Sequence, residues 1–345
     1  MVLGPVSDPL AIDRPAPACP VCAGRLRLVA IGPDPYRFCQ CRACSLITVV
    51  PLPTQAELSA FYDGFLFGRP NDDEFDRKRT AILDDAQRIL ADIRSAGAGA
   101  VPLALLDWGG GTGLHSGAFA DLGCDVTMID IDPQACQYAR DKFPGRFRVI
   151  NADPLCHAFA ERFDVVFCNQ VIEHYRDPKA LLDALSASLR PGGLAIITTP
   201  NQQCKEFLFR RGWWMDYLRM AAQGRWKLLG AMGAFLRAPW ICCDPPRHLH
   251  AFNRRSLRVL VEGRGFAVVR CFGEYGTRQY YSPTFQWDWK VRRLLSIPRF
   301  LRNVADYAGI ELLRLLASDG RWGSNLVAFV TPESSKSDNP CDNRS

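Results

Sequence analysis

The sequence predicts an α/β protein: a doubly wound, mostly parallel sheet with an antiparallel last strand, preceded by a small cysteine-rich module. Three observations predict it. An apolar run, LALLDW, passes straight into the glycine-rich turn GGGTG at 109–113. A second apolar run, CDVTMIDI at 124–131, follows one helix length later and ends in Asp130, 21 positions after Gly109. Two cysteine pairs, CPVC at 19–22 and CRAC at 41–44, stand ahead of both.

The first unit is residues 1–50. Cys19 and Cys22, then Cys41 and Cys44, sit on two tight knuckles that can aim four thiolates at one ion, the spacing of a zinc ribbon. IGPDPYRFCQ between the pairs supplies the turn of a small hairpin. A closed four-thiolate Zn2+ site is structural, because no position is left open for water. Cys39 is a fifth nearby thiol, but Cys41 keeps the paired spacing. Arg25, Arg27, Arg37 and Arg42 set a grip on nucleic acid against plain scaffolding, and no dense basic run accompanies them.

Residues 51–100 form a linker and helical lead-in. The stretch 75–93 reads as an amphipathic helix with Ile82, Leu83, Ile89 and Leu90 on one side, and DDEFDRKR as a solvated face.

The main unit spans 101–332. Gly109, Gly111 and Gly113 permit positive φ and close backbone approach to a ligand at the head of the next helix, although such turns also serve as plain strand-to-helix corners. With the helical segment 115–122 and the strand behind it, the turn completes a Rossmann-like βαβ unit. Asp130 falls close to the roughly 20-residue offset at which such folds place a carboxylate on ribose hydroxyls. Its competing role is a helix cap before Pro133, for which Asp132 is better placed.

Five stretches then occur in order: LLDWGGGTG at 105–113, VTMIDIDPQACQYAR at 126–140, NAD at 151–153, FDVVFCNQVIEH at 163–174 and LRPGGLAIITTPN at 189–201. Together they resemble class I S-adenosylmethionine-dependent methyltransferases. The likeness returns in PPRHLHAFNRRSLRVLVEGRGF at 245–266, which is similar to ubiquinone-pathway O-methyltransferases and sugar-modifying enzymes. PLPTQAELSAFYD, after the ribbon, resembles the linker and helix of sugar and polysaccharide-cluster methyltransferases, but their further C-terminal domain has no counterpart here.

The resemblance implies S-adenosyl-L-methionine as methyl donor. It implies Asp107, Gly109, Gly111 and Gly113 at the methionine end, Asp130 at the ribose and Asp153 facing the adenine. Ile131, Asn169 and Gln170 complete the implied cofactor contacts. Related sequences often carry Cys where Gly110 stands and Glu where Gln170 stands.

NQVIEH reads as the start of a helix at the cofactor's mouth, which brings Glu173 and His174 near the reacting centre. A histidine near neutral pKa can take a proton from a hydroxyl acceptor, and the same pair can instead fix loops by hydrogen bonding. His248 and His250 form a second pair, which an extended segment would present on one side. Positioning of substrate or loop, general base and metal ligation all stay open for them.

Two insertions are expected, over 202–243 and 278–320. The first mixes Trp213, Trp214, Tyr217, Trp226 and Trp240 with Arg210, Arg211, Arg219, Arg225, Lys227 and Arg237. It reads equally as a lid or as a basic amphipathic contact with a membrane interface. GSNLVAFVTP at 323–332 reads as the terminal edge strand, and 333–345 as a disordered tail.

No basic leader with an apolar run opens the chain, and no stretch approaches about 18 uninterrupted apolar residues. The expected location is therefore cytoplasmic, peripheral at the inner membrane face if the insertion meets lipid. The 14 cysteines then read as reduced thiols and metal ligands.

The expected activity is methyl transfer from S-adenosylmethionine to a small-molecule or lipid-linked acceptor, with a saccharide or its precursor among the candidates and oxygen or carbon as the methylated atom. The rivals are a zinc-ribbon-bearing ribosomal RNA methyltransferase and a non-catalytic scaffold that binds the same cofactor. Against RNA stands CNQV at the fourth strand, where base-amine chemistry would use an NPPY-like tetrad, and nucleic acid is not the expected partner. Against the scaffold stand the intact Asp107, glycine turn and Asp130.

Overall fold

The computed structural model describes residues 18–31, 35–64, 72–97, 102–206, 242–243, 245–275 and 308–333. The stretches 207–241 and 276–307 and the tail from 334 lie outside the described residues, and with them the lid-or-membrane and disordered-tail expectations.

Two sheets organise the chain. The larger has seven strands: β4 (Ala104–Trp108), β5 (Asp125–Asp130), β6 (Arg148–Asn151), β7 (Phe163–Asn169), β8 (Leu189–Pro200), β10 (Phe266–Glu274) and β11 (Asn325–Pro332). Their order is β10-β11-β8-β7-β4-β5-β6. The pairs β4–β5, β5–β6, β4–β7 and β7–β8 are parallel, whereas β11 is antiparallel to both its neighbours.

The antiparallel last strand is present, but it is not at the edge. Five consecutive β11 residues, Leu326 to Val330, are buried, so both faces of the strand are covered. A continuous apolar run of that kind belongs inside a sheet, and β10 takes the edge instead.

Helices cover both faces. On one, α5 (Pro178–Ser188) and α6 (Arg254–Glu262) pack with Trp108, Val166 and Ile197. On the other, α2 (Asp72–Ser95) and α3 (Leu114–Asp121) pack with Leu105, Phe167, Ile196 and Phe329. Burying each of these large side chains contributes roughly 1.5–3 kcal/mol. The start of α4 (Pro133–Lys142) is sharp, because Asp132 accepts from the amides of Gln134 and Ala135 with Pro133 behind it. Asp177 and Pro178 repeat the device at α5, and Asn253 with Ser256 forms a capping box at α6.

The smaller sheet contains β1 (Leu26–Ile31), β2 (Arg37–Cys41), β3 (Ile47–Val50) and β9 (His250–Ala251), in that order and antiparallel. Its fourth strand comes from the main unit, some 200 residues away in sequence from the third. A short helix, α1 (Gln55–Gly64), follows β3, and a last helix, α7, covers residues 308–316. Among the described residues, no helix is long and apolar enough to cross a membrane.

Candidate active site

The glycine turn leaves β4 with Gly109, Gly111 and Gly113 at φ of 72°, 54° and 75°. An L side chain there is strained, and at Gly111 a Cβ would meet nothing within 4 Å, so the turn's backbone is open to a ligand. Gly110 has the opposite reason for being glycine: a Cβ would lie 2.5 Å from Met128 Cγ and 2.9 Å from Asp107 Oδ2. The Cys common there in related sequences has no room beside Met128.

Asp130 ends β5 beside this turn. Its Oδ2 accepts from the Gly111 amide at 2.8 Å and its Oδ1 from the Asp132 amide at 2.8 Å. Burial raises its pKa, and the two amides offset only part of that rise. Asp107 lies beneath the turn, 2% exposed, with the Ser116 hydroxyl donating to it at 2.5 Å. Burial raises the Asp107 pKa as well.

Next to Asp130, Ile131 is 60% exposed, an apolar surface that an aromatic base would cover. Asp153 is exposed and accepts from the Leu155 amide at 3.0 Å. Open glycine backbone, a carboxylate at the end of the neighbouring strand and an exposed apolar side chain fit the parts of a nucleoside cofactor.

NQVIEH is not the start of a helix. Gln170 adopts φ 58°, only Ile172–His174 form one 3-10 turn, and α5 begins later at its Asp177 cap. Asn169 accepts from the Thr198 hydroxyl. The Gln170 amide donates to Thr198 O at 3.0 Å, and its side chain reaches Asn325 Oδ1 at 3.5 Å.

Glu173 is fully buried. Its Oε2 accepts from the Thr199 hydroxyl at 3.0 Å, and its Oε1 lies 3.9 Å from His174 Nε2 with no hydrogen bond among the described residues. Burial pushes its pKa up to about 8. His174 Nδ1 lies 3.0 Å from both Tyr62 Oη and the Arg247 carbonyl. A carbonyl only accepts, so Nδ1 carries the proton and Nε2 presents its lone pair. Burial lowers the His174 pKa to about 3, which keeps the ring neutral and makes it a weaker base than the near-neutral histidine expected from sequence.

The expectation that His248 and His250 share a side fails, because residues 245–247 form a turn and β9 begins only at His250. His248 meets the His174 ring edge to face at 4.7 Å. His250 is fully buried, with Nδ1 2.9 Å from Thr48 Oγ1 and Nε2 3.0 Å from the Tyr175 carbonyl. Both its ring nitrogens are occupied by protein partners, and burial lowers its pKa to about 4.

Glu173, His174 and His248 offer ligand atoms within 4.8 Å of one another, so this triplet could hold a cation. The carboxylate of this triplet comes from Glu173, 75 residues upstream of His248. A cleft of about 1050 Å³ opens between α2 and strands β7, β8, β11 and β10. Asn169, Gln170, Thr198 and His248 line it, with Ile82 and Phe329 among its apolar walls. Arg88 strapped to Asp85 and Glu274, and Arg270 to Asp92, join α2 to β10 alongside it.

Tyr62 and Thr199 are the residues that sequence reasoning missed. Tyr62 belongs to a short lead-in helix with no chemical spacing around it, and Thr199 to a strand that reads as core.

In the cysteine module, Cys19 Sγ lies 3.6 Å from Cys44 Sγ and Cys22 Sγ 3.5 Å from Cys41 Sγ. All four sulfurs lie within 4.8 Å of one another, and Cys39 is not among them. The Cys44 hydrogen bond lowers Cys19 to about 5, while that same bond and burial hold Cys44 up. Four sulfurs converging at these distances fit a tetrahedral Zn2+.

Comparison with known proteins agrees with this geometry. Residues 75–270 match the family model described as a methyltransferase domain. A ubiquinone biosynthesis O-methyltransferase of Bordetella avium is 34% identical over 110 residues, covering 30% of this chain and 46% of that protein. That of Psychrobacter cryohalolentis is 33% identical over 141 residues, covering 38% and 52%. The chain thus spans about half the length of the curated relatives it matches. Among solved structures, magnesium protoporphyrin IX methyltransferase from Synechocystis PCC 6803 is 12% identical over 81% of this chain and 95% of that one, with a TM-score of 0.43. An amino pentose methyltransferase from Micromonospora echinaspora is 26% identical over 42% and 56%, with a TM-score of 0.31. With more than half its length matched and the motif order in place, the chain belongs to the methyltransferase domain family, as a class I S-adenosylmethionine-dependent methyltransferase.

Proposed function

We propose that the protein methylates a small-molecule or lipid-linked acceptor that carries an ionisable hydroxyl and enters the cleft between α2 and β8. A saccharide, its precursor or a phenol-like ring falls within that class. The observation that supports the reading is the adjacency of two sites. The cofactor seat at Gly109–Asp130 and the cleft mouth at Asn169, Gln170 and Thr198 both lie at the carboxyl ends of the parallel strands.

S-adenosylmethionine supplies a methyl group on a sulfonium, an electrophile that needs alignment more than activation. Asp130, Ile131 and the glycine backbone would hold the donor, with Asp153 at the adenine end. His174, held neutral by burial, would take the hydroxyl proton on Nε2 as the acceptor oxygen is methylated. Glu173, protonated below about pH 8 and 3.9 Å from Nε2, would not compete for that proton. His248 would orient the acceptor at the cleft rim. Four-thiolate zinc in the ribbon would serve structure alone.

The lipid-linked option draws on sequence. The cleft-lining Cys204 and Cys242 flank the stretch 207–241, whose tryptophans and arginines suit a membrane interface.

The test is incubation of the purified protein with methyl-labelled cofactor and fractionated host extract. Label is expected in a small-molecule or lipid fraction and lost in His174→Gln. Label in RNA, or transfer undiminished in His174→Gln, would overturn the reading.

A further inference from the structure

The hydrogen bonds around the Glu173–Tyr175 turn lead away from the large sheet and into the cysteine module. The Glu173 carbonyl accepts from the Leu249 amide at 2.8 Å, and the Leu249 carbonyl in turn accepts from the Val49 amide of β3 at 3.0 Å. The Tyr175 carbonyl accepts from His250 Nε2, whose ring continues through Nδ1 to the Thr48 hydroxyl of β3. A carbonyl only accepts, so His250 carries its proton on Nε2 and the Thr48 hydroxyl donates. His174, between these two residues, holds the Tyr62 hydroxyl at 3.0 Å from its Nδ1. Tyr62 stands on α1, directly after the module.

Three consecutive residues of the turn are therefore each tied to the module or to the helix that follows it. Strand β3 itself is set by the second cysteine knuckle, where the Cys41 amide donates to Leu46 O at 2.8 Å and the Ser45 carbonyl accepts from Asn253 Nδ2 at 3.0 Å. The hydrogen bonds of the cofactor seat, Gly111 to Asp130 and Asp132 to Asp130, involve no module residue.

We propose that the cysteine module and α1 form the positioning half of the reacting site, with Thr48 acting through His250 and Tyr62 acting directly on the ring to aim His174 Nε2 at the acceptor. Neither Thr48 nor Tyr62 touches the transferred methyl group; both are positioning residues. The Arg247 carbonyl alone fixes the tautomer, and Tyr62 fixes the tilt of the ring by occupying its second contact at Nδ1. This proposal rests on the reading of His174 as proton acceptor.

The experiment compares wild type, Tyr62→Phe and Thr48→Val by three readouts: steady-state transfer from methyl-labelled cofactor to the extract fraction that takes up label, cofactor affinity by calorimetry, and the ring nitrogen resonances of His174 in histidine-labelled protein. Each variant is expected to lower kcat about tenfold, the loss of one oriented hydrogen bond, with cofactor affinity within about twofold of wild type. The His174 ring resonances are expected to shift in Tyr62→Phe, and those of both His174 and His250 in Thr48→Val. Unchanged kcat and unchanged His174 resonances in both variants would overturn the proposal. An equal loss of cofactor affinity would also overturn it, since the module would then support the whole fold rather than the turn.

Failure of the catalytic reading has a different signature. His174→Gln would keep its turnover, while the resonances of His174 in Tyr62→Phe still moved.

Discussion

Asp130 Oδ2 accepts a hydrogen bond from the Gly111 amide at 2.8 Å, so the carboxylate that ends one strand also holds the turn that ends its neighbour. Asp130→Ala removes the proposed ribose acceptor and frees the turn together. Cofactor affinity should fall about ten- to a hundredfold, in line with the roughly 1.5–3 kcal/mol of a charge-assisted hydrogen bond. Calorimetry that returned wild-type affinity would rule out the seat.

Gly110→Cys restores a residue found in related sequences, yet its Cβ would press on Met128. Overpacking predicts a loss of about 1–3 kcal/mol, read from the urea midpoint at unchanged slope. A variant as stable as wild type would mean that Met128 moves aside freely.

Metal analysis of protein purified under reducing conditions should give about one zinc per chain. Chelation should lower the melting temperature and release the four thiols to a thiol reagent. Full thiol reactivity before chelation would refute the site.

Glu173 makes stability depend on pH in a stated direction. Its pKa is about 8 in the folded protein against 4.5 as a free carboxyl. Below pH 4.5 both states hold the proton and the group contributes nothing. Between 4.5 and 8 the unfolded chain gives up its proton while the folded one keeps it, so stability falls as pH rises. His174 runs the other way, with a pKa near 3 against 6.5, and adds stability as pH rises through that window. Glu173→Gln should therefore gain on wild type progressively from pH 4.5 to 8 in denaturant titrations. A constant difference across that range would contradict a buried, protonated Glu173.

The parts legible in sequence are those built from local backbone demands. Gly109, Gly111 and Gly113 announce positive φ, Asp132 with Pro133 announces a cap, and the paired cysteines announce converging thiols. The illegible parts depend on what a strand meets across the fold. Strand β11 reads as an edge because its length and apolar run fit several positions, and only the covering of both faces puts it inside. NQVIEH reads as helix because its composition allows one, while the left-handed Gln170 breaks the path. His250 reads as a partner of His248 because alternation assumes an extended chain, whereas His248 follows a turn and meets His174 while the His250 ring is buried against Thr48. The Tyr62 hydroxyl reaches His174 across 112 residues, a pairing that no local pattern encodes.

Strand β9 is two residues long, belongs in sequence to the catalytic unit and completes the sheet of the cysteine module. A boundary drawn after residue 50 would cut a hydrogen-bonded ladder rather than a linker, and would leave the buried ring of His250 facing solvent on its Thr48 side. Module and core should accordingly melt in one cooperative transition, and amides of β3 should exchange with solvent no faster than those around Glu173. Grafting this ribbon onto another enzyme, or removing it, would be an operation on the Glu173–Tyr175 turn itself.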